Sequence, residues 1–238
     1  MFNFSGQTVM VSGATGNLGR AVAQAFNAAD ANLVLIDRGR DRLARQFPEL
    51  QSSPKAHFAN EVDATDPEAV ASAVSATVDR FGRLDVLVNT VGSYRGGKPL
   101  VEAALEDWDF LMQINARSML VPARAVIPRM LEQGSGKIVS VAARAGLAGA
   151  AEQGMYSTSK SAVIRLTESL AAELRDANIN VNCVLPGTID TPENREQMPK
   201  SDFSRWVAPE AIADVILFLA CDAARAVQGA AIPVYGRS

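Results

Sequence analysis

The sequence is poor in the residues that build most metal and acyl-transfer sites. It contains one histidine, His57, and two cysteines, Cys183 and Cys221, in 238 residues. With a single histidine, the sequence does not favour a Ser-His-Asp triad or a histidine-ligated metal centre. Both cysteines stand in apolar runs, VNCVLPG and LFLACD, where free thiols are usually inert core residues. We predict neither a disulfide nor a metal site.

Long apolar runs and clusters of one charge are also missing. No segment approaches the roughly 20 apolar residues that cross a bilayer, and the N-terminal MFNFSGQTVMVSG enters a strand pattern without a charged leader. The formal net charge is only -3, and no run of Lys or Arg forms a basic stripe. We therefore expect a cytoplasmic protein with neither a membrane nor a nucleic-acid partner.

The chain does contain a regular alternation of short aliphatic runs and longer helical patterns. The runs predict strands at TVMVSG, NLVLID, AHFANEVD, LDVLVNT, GKIVSVA, INVNCVLPG and AAIPVYG. Helices are predicted at about 18–29, near 40, and at about 67–81, 106–132, 154–177 and 209–221. Apolar strands separated by helices are typical of a parallel sheet covered on both faces. We predict an α/β fold, a Rossmann-type doubly wound sheet, as a single domain over residues 1–238.

Two irregular stretches follow predicted strand ends. They are VGSYRGGKPLVEAA after the fourth strand and GTIDTPENREQMPKSDFSRWV after the sixth. Open α/β sheets bind ligands outside the carboxyl ends of their strands. These stretches are therefore the predicted walls of a pocket for a small-molecule substrate.

A glycine-rich turn, SGATGNLGR, joins the first strand to the first helix. Gly13, Gly16 and Gly19 let backbone amides approach a pyrophosphate at the positive end of that helix, although an ordinary tight turn would look the same. Asp37 follows Gly19 by eighteen residues, near the spacing of a carboxylate that accepts ribose hydroxyls. That carboxylate favours NAD(H), while Arg38 beside it leaves NADP(H) possible.

Tyr156 and Lys160 stand four residues apart in a helical segment and so share one face. An ammonium near a phenol lowers the pKa of the phenol and makes it a usable proton donor. Taken alone, the pair favours an ordinary surface helix over a catalytic site. Its position after the fifth strand, in a chain with a dinucleotide loop, favours catalysis.

Over essentially its full length, the sequence resembles the short-chain dehydrogenase/reductase family. The matching motifs are SGATGNLG, LIDR, VDATD, LDVLVNTVG, QINARSM, GKIVSVAARAG, YSTSK, NVNCVLPGTIDTP and PEAIADVILFLACDAARAVQGAAIPV. The resemblance implies hydride transfer between nicotinamide and a carbonyl, alcohol or related C=N centre. It also implies a homodimer or homotetramer formed through the two long helices.

The resemblance carries specific roles to individual residues. Tyr156 becomes the proton donor, Lys160 lowers the pKa of Tyr156 and binds the nicotinamide ribose, and Asn115 holds a water in the proton relay. The implied cofactor-binding residues, besides Tyr156 and Lys160, are Gly13, Thr15, Gly16, Asn17, Leu18, Gly19, Asp37, Arg38, Asp63, Asn89, Val91, Pro186, Ile189 and Thr191.

Three positions depart from the family pattern. Asn17 replaces a common glycine, NTVG replaces NNAG, and Ala143 stands thirteen residues before Tyr156, where the family has a substrate-orienting serine. The loop IDTPENREQMPKSDFSRW resembles that of dihydropteridine reductases, a branch that also has alanine at the serine position. The implied alternatives are a carbonyl or alcohol substrate, a quinonoid dihydropterin, or a weakly catalytic NAD(H)-binding sensor or scaffold.

Overall fold

The computed structural model describes residues 2–237, which form one sheet of seven parallel strands. The strands are β1 (Thr8–Ser12), β2 (Asn32–Asp37), β3 (Ala56–Asn60), β4 (Val86–Asn89), β5 (Gly136–Val141), β6 (Ile179–Pro186) and β7 (Ala231–Val234). Their order across the sheet is β3-β2-β1-β4-β5-β6-β7. The chain thus winds outward from β1 to one edge, returns to the middle at β4 and continues to the other edge. The predicted doubly wound fold is confirmed.

Helices connect the strands and cover both faces of the sheet. They are α1 (Asn17–Ala28), α2 (Arg42–Gln46), α3 (Pro67–Phe81), α4 (Leu105–Leu111), α5 (Ser118–Gln133), α6 (Gly154–Leu174), α7 (Pro192–Gln197) and α8 (Pro209–Ala220). Among residues 2–237, none of these helices combines the length and apolar composition that a membrane crossing requires.

The sheet has an apolar core on each face. Because neighbouring side chains of a strand point to opposite faces, each strand contributes to both cores. In β1, Val9 and Val11 pack into the core that contains α1 and α8. Met10 between them packs into the second core, formed with α3 and α5. Every residue of β1, and every residue of β6, is buried. The apolar stretches VMV in β1 and CVLP in β6 agree with this burial and helped to predict both strands.

Most predicted boundaries agree with the structure to within two residues, and three elements differ further, in extent or in form. The third strand ends at Asn60 rather than at residue 63, and α6 ends at Leu174, followed by a 3-10 turn over Arg175–Ala177. The helix predicted over 106–132 is α4 and α5 joined by a π-helical segment, Met112–Arg117. π-helical turns are rare and frequently mark functional sites. This one contains Asn115.

Candidate active site

The strand order reverses between β1 and β4, and the ends of these strands open a crevice where doubly wound sheets bind ligands. The loop after β1 lies at this point. Gly13 has φ +71, and a methyl group on Gly19 would stand 2.1 Å from the Gly13 carbonyl oxygen. Only glycine fits at Gly19, because any side chain there would collide with the backbone of the same loop.

The loop leaves the amino end of α1 open to an anion. Gly16 precedes the helix without a side-chain cap, and its first turn contains no acidic residue. Its amides and the positive end of the helix dipole are thus available to a phosphate group. Leu18 buries its side chain in the core, so only its backbone can take part. These features fit the pyrophosphate of a dinucleotide.

Asp37 is 6% exposed at the end of β2 and is held by protein donors. Thr15 donates its hydroxyl hydrogen to one carboxylate oxygen, and the Gly39 amide donates to the other at 2.8 Å. The Arg42 Nε atom lies 3.7 Å from Asp37 Oδ1. Thr15 therefore positions the predicted ribose acid, and Arg42 partly neutralises its charge.

A basic cavity of about 260 Å³ adjoins this carboxylate, lined by Thr15, Arg42, Arg45 and Gln46. Arg38, the predicted basic neighbour, is exposed. Sequence reasoning missed Arg42, because the run RGRDR offers three arginines and gives no sign of which one faces the acid. The arrangement places negative and positive charge side by side where the adenosine ribose of a dinucleotide would lie.

Two other predicted residues at this end of the sheet make structural contacts. Asn89 is 3% exposed; it accepts a hydrogen bond from Ser12 Oγ at 3.3 Å and donates to Ser140 Oγ at 3.2 Å. Its side chain therefore ties β1, β4 and β5 together. Asp63 is exposed and accepts two hydrogen bonds from Thr65, each 2.8 Å long. The Asp63 carboxylate remains accessible at the rim.

The loop after β6 crosses toward the glycine-rich turn. Asn17 Nδ2 donates to Glu193 Oε2 at 2.7 Å, which joins α1 to α7. Thr191 Oγ1 accepts from the Asn194 amide at 3.2 Å and so caps α7. Ile189 forms an isolated bridge with a residue at the far end of the loop, and Pro186 is buried at the end of β6. The loop is thereby held beside the predicted cofactor site.

Tyr156 and Lys160 lie in the first two turns of α6, as predicted. Lys160 is 5% exposed and donates from Nζ to the Val141 carbonyl oxygen at 3.0 Å. Burial lowers the pKa of the Lys160 ammonium to about 8. Burial and the nearby Tyr94 raise the pKa of Tyr156 to about 12. In this structure the Lys160 ammonium donates to β5, and its expected effect on the pKa of Tyr156 stays a prediction.

Asn115 connects the loop after β4 to the helix that carries Tyr156. Its Oδ1 accepts from the Ser93 amide at 2.9 Å, and its Nδ2 donates to the Ser93 carbonyl and to Ser159 Oγ, both at 3.0 Å. Ser159 Oγ in turn donates to the Tyr156 carbonyl at 2.8 Å. Both amide hydrogens of Asn115 are therefore engaged. The expected role of Asn115 in holding a relay water stays a prediction.

Residues 91–93 touch both halves of the site. A methyl group on Gly13 would stand 2.9 Å from Val91 Cγ2, so Val91 packs on the glycine-rich turn. A methyl group on Gly92 would stand 3.0 Å from Asn115 Oδ1 and also 3.0 Å from Lys160 Nζ. This short stretch therefore joins the predicted cofactor loop to the predicted proton donors.

The turn after β5 packs directly against α6. Ala143 is 8% exposed with extended backbone, and its carbonyl accepts from the Gly146 amide at 2.9 Å. A methyl group on Gly146 would stand 2.9 Å from the Lys160 backbone. Ser140 is fully buried and accepts from Asn89, so its hydroxyl is committed elsewhere. This turn presents no hydroxyl beside Tyr156.

A cavity of about 300 Å³ lies next to this site, between the loop after β4, α4 and the start of α6. Its lining consists of Tyr94, Arg95, Gly96, Lys98, Leu100, Ala103, Asp107, Leu111, Glu152, Gln153, Gly154 and Met155. The rings of Tyr94 and Tyr156 meet edge to face, with centroids 4.9 Å apart. In the loop after β6, the rings of Phe203 and Trp206 pack on each other with centroids 4.8 Å apart.

Comparison with known proteins agrees with this geometry. Residues 13–236 match the family model described as Enoyl-(Acyl carrier protein) reductase. The chain is 32% identical over 240 residues to 3-oxoacyl-[acyl-carrier-protein] reductase FabG of Thermotoga maritima, covering 97% of each chain. It is 34% identical to the BbsD subunit of (2S)-[(R)-hydroxy(phenyl)methyl]succinyl-CoA dehydrogenase of Thauera aromatica, covering 97% of this chain and 95% of the relative.

Solved structures give the same result. ElxO with NADP bound superposes with a TM-score of 0.89 at 27% identity and 97% coverage of both chains. The protein belongs to the short-chain dehydrogenase/reductase family and is an oxidoreductase of that type.

Proposed function

We propose that the protein transfers hydride between a nicotinamide cofactor and a small carbonyl, alcohol or imine-like substrate, with Tyr156 as the proton donor. The observation that carries the proposal is the stretch of residues 91–93, which packs on the glycine-rich turn at one end and on Asn115 and Lys160 at the other. Cofactor and proton donor would therefore meet within one crevice. NADP bound to ElxO supports a nicotinamide dinucleotide as the cofactor.

The residues of the crevice fit a dinucleotide. The turn with Gly13, Gly16 and Gly19 and the open end of α1 would hold the pyrophosphate, and Asp37 the adenosine ribose. The remainder of the dinucleotide would contact Asp63, Val91, Ile189 and Thr191. The cofactor supplies hydride chemistry when bound.

The proton would be donated by Tyr156, with Lys160 beside it. In residues 2–237 the Tyr156 hydroxyl has no protein acceptor, so its hydrogen is available to a substrate oxygen or nitrogen. Lys160, with a pKa of about 8, is mostly protonated at neutral pH. It uses one hydrogen on Val141 and keeps two for the nicotinamide ribose and for the phenol once the cofactor is in place. Its charge would then stabilise the phenolate that forms.

Asp37 supports a preference for NAD(H), with NADP(H) possible because Arg42 lies beside it. We expect Asp37→Asn to increase the affinity for NADPH relative to NADH by roughly tenfold, since one negative charge beside the 2′-phosphate is removed. The asparagine keeps one oxygen that accepts from the Gly39 amide, and its Nδ2 group can donate to Thr15 Oγ1 in place of the bond that Thr15 donates to Asp37. Fluorescence titration with both cofactors measures the ratio. Asp41→Asn, an exposed neighbour, is the matched control, and an unchanged ratio in Asp37→Asn would reject the role of Asp37.

Ala143 bears on the substrate. An alanine donates no hydrogen bond to a developing alkoxide, and such a donor typically contributes about 2.7 to 4 kcal/mol in the transition state. A quinonoid dihydropterin, a conjugated imine-like acceptor, leaves no localised alkoxide on carbon and tolerates this alanine. Pteridine reduction is therefore the specific alternative to an ordinary carbonyl substrate.

Restoring the hydroxyl tests this reasoning. We expect Ala143→Ser to raise kcat on a simple ketone at least about tenfold, because the serine supplies the missing donor. Steady-state assays with NADH measure the change. Ala142→Ser adds the same hydroxyl one residue earlier, in the apolar core, and serves as the control. Equal rates for Ala143→Ser and the unmodified enzyme would show that the hydroxyl does not limit turnover.

A third reading is a sensor or scaffold that binds NAD(H) with little turnover. The buried Lys160 and the bonds around Asn115 argue against it, because binding alone needs no ordered proton donor. A screen with NADH and NADPH against ketones, quinones and quinonoid dihydropterin decides among the three readings. Tight NADH binding without any oxidation would favour the sensor. A cytoplasmic location and a homodimer or homotetramer through α4, α5 and α6 stay predictions.

A further inference from the structure

We propose that Tyr94 is the positioning residue of the substrate site, forming the wall between the cavity of about 300 Å³ and Tyr156. The proposal rests on the function proposed above and adds which side chain places the substrate. Tyr94 lines the cavity, and its ring contacts the Tyr156 ring edge to face. Within the described chain, Tyr156 itself does not line that cavity. A substrate seated there reaches Tyr156 along Tyr94.

The backbone that carries Tyr94 is held in place. The preceding residue, Ser93, has both its amide and its carbonyl bonded to the Asn115 side chain. This pair of hydrogen bonds to the Asn115 side-chain amide fixes the backbone position from which Tyr94 extends. The location of the Tyr94 ring is therefore coupled to the same residue that ties α6, through Ser159, to this loop.

The absence of a side chain at Gly96 leaves room for the ring of Tyr94. A methyl group on Gly96 would stand 2.5 Å from the Tyr94 hydroxyl oxygen and 2.9 Å from the Glu152 carbonyl oxygen. The Gly97 amide donates to that same carbonyl at 2.9 Å. Glycine at 96 thus permits the loop to fold closely over Tyr94 and onto the start of α6. Although Tyr94 is 51% exposed, its hydroxyl end lies against Gly96 of this turn.

The charges around the cavity limit its substrate class. Arg95 pairs with Asp107 at 2.7 Å and its guanidinium lies 3.6 Å from the centre of the Phe110 ring, so its charge is satisfied. Lys98 and Glu152 add one charge of each sign, and the remaining lining is largely apolar. The volume is at the lower end of the range for small-molecule sites. The cavity suits a compact, uncharged carbonyl or imine compound rather than a polyanionic thioester.

Kinetics of three variants test the positioning role. With a substrate from the screen and saturating NADH, we expect Tyr94→Leu to raise KM roughly tenfold or more, as lost apolar contacts in binding pockets do. Tyr94→Phe keeps the wall and should stay within about threefold of the unmodified enzyme. Tyr235→Phe is the matched control at a tyrosine outside this cavity. NADH affinity should be equal in all four proteins.

A second measurement needs no turnover. Tetranitromethane nitrates accessible phenolates, and the chain has three tyrosines, so peptide mapping at low conversion resolves each one. We expect Tyr94→Leu to accelerate nitration of Tyr156 severalfold, because water reaches its hydroxyl and the phenolate becomes less costly. Tyr94→Phe should change this rate far less, and Tyr235→Phe should leave it unchanged.

The two readouts separate the two proposals. Turnover that continues with an unchanged KM, together with unchanged nitration of Tyr156 in Tyr94→Leu, would overturn the role of Tyr94 and leave the proposed function standing. Absence of turnover in the unmodified enzyme would instead reject the proposed function, while faster nitration of Tyr156 in Tyr94→Leu would still support Tyr94 as the wall. Thermal denaturation of each variant verifies that the protein is folded.

Discussion

Tyr156→Phe is expected to lower the rate of hydride transfer by about 10² to 10⁴, the usual contribution of a positioned acid or base. The phenylalanine keeps the ring that packs edge to face on Tyr94 and removes only the hydroxyl. NADH affinity should change by less than about twofold, since a change made for the transition state alone leaves ground-state binding intact. Single-turnover oxidation of NADH measures the chemical step, and fluorescence titration measures binding.

Tyr235→Phe is the control for Tyr156→Phe, because it removes a hydroxyl from another aromatic ring and should keep full activity. A Tyr156→Phe enzyme that oxidises NADH at the original rate would show that the proton comes from elsewhere. Loss of both activity and NADH binding would indicate a role in holding the cofactor. The expected combination, an inactive enzyme that still binds NADH, belongs to a proton donor.

Lys160→Met is expected to abolish activity and at the same time to stabilise the fold. Burial lowers the pKa of the Lys160 ammonium from 10.5 to about 8, so the folded state binds this proton less tightly than the unfolded chain does. At pH 7 the difference opposes folding by about 3 kcal/mol at most. Methionine removes that cost and loses one hydrogen bond to Val141, worth about 1 kcal/mol. A net gain of about 2 kcal/mol follows.

The pH dependence identifies the cause. Between about pH 8 and 10.5 the unfolded chain holds the Lys160 proton and the folded protein does not, so the stability of the unmodified protein rises with pH in that window. The advantage of Lys160→Met should therefore shrink from pH 7 to pH 10. Urea denaturation at both values measures it. Tyr156, whose pKa is raised, is present in both proteins and cancels in the comparison.

Lys200→Met is the matched control for Lys160→Met, because Lys200 is exposed. Its effect on the free energy of unfolding should lie within about 0.5 kcal/mol at both pH values. If Lys160→Met instead destabilised the protein at pH 7, the buried ammonium would be better compensated than its single carbonyl contact implies.

The architecture was predictable because local and global signals agree. The run NLVLID, for example, is β2 at Asn32–Asp37, and Pro67–Phe81 is α3 with the bounds predicted from its sequence. Asp66 begins α3 by accepting from two amides, and Gly82 ends it with φ +74. Where an element contains its own start and stop signals, the sequence locates it to the residue.

The parts of the site that the sequence did not predict depend on contacts between distant segments. A single π-helical segment has no periodicity of its own and reads as a continuous helix, so the form of the chain at Asn115 was missed. The bond of Lys160 to Val141 joins residues 19 positions apart, and that of Asn115 to Ser159 joins residues 44 apart. Patterns of residue type show which groups are present. They do not show which partner each group selects.

The bonds of Asn115 have a consequence for changing substrate range. Up to Ser93, the loop after β4 is fixed to the helix that carries Tyr156, so alterations there would shift the proposed proton donor. From Arg95 to Ala103 the chain lies beyond the segment bonded to Asn115 and beyond the Tyr94 contact with Tyr156, and it forms one side of the cavity. Directed evolution for new substrates should therefore find most of its productive mutations in those nine residues, where the shape of the pocket can vary while Tyr94 and Tyr156 stay in place.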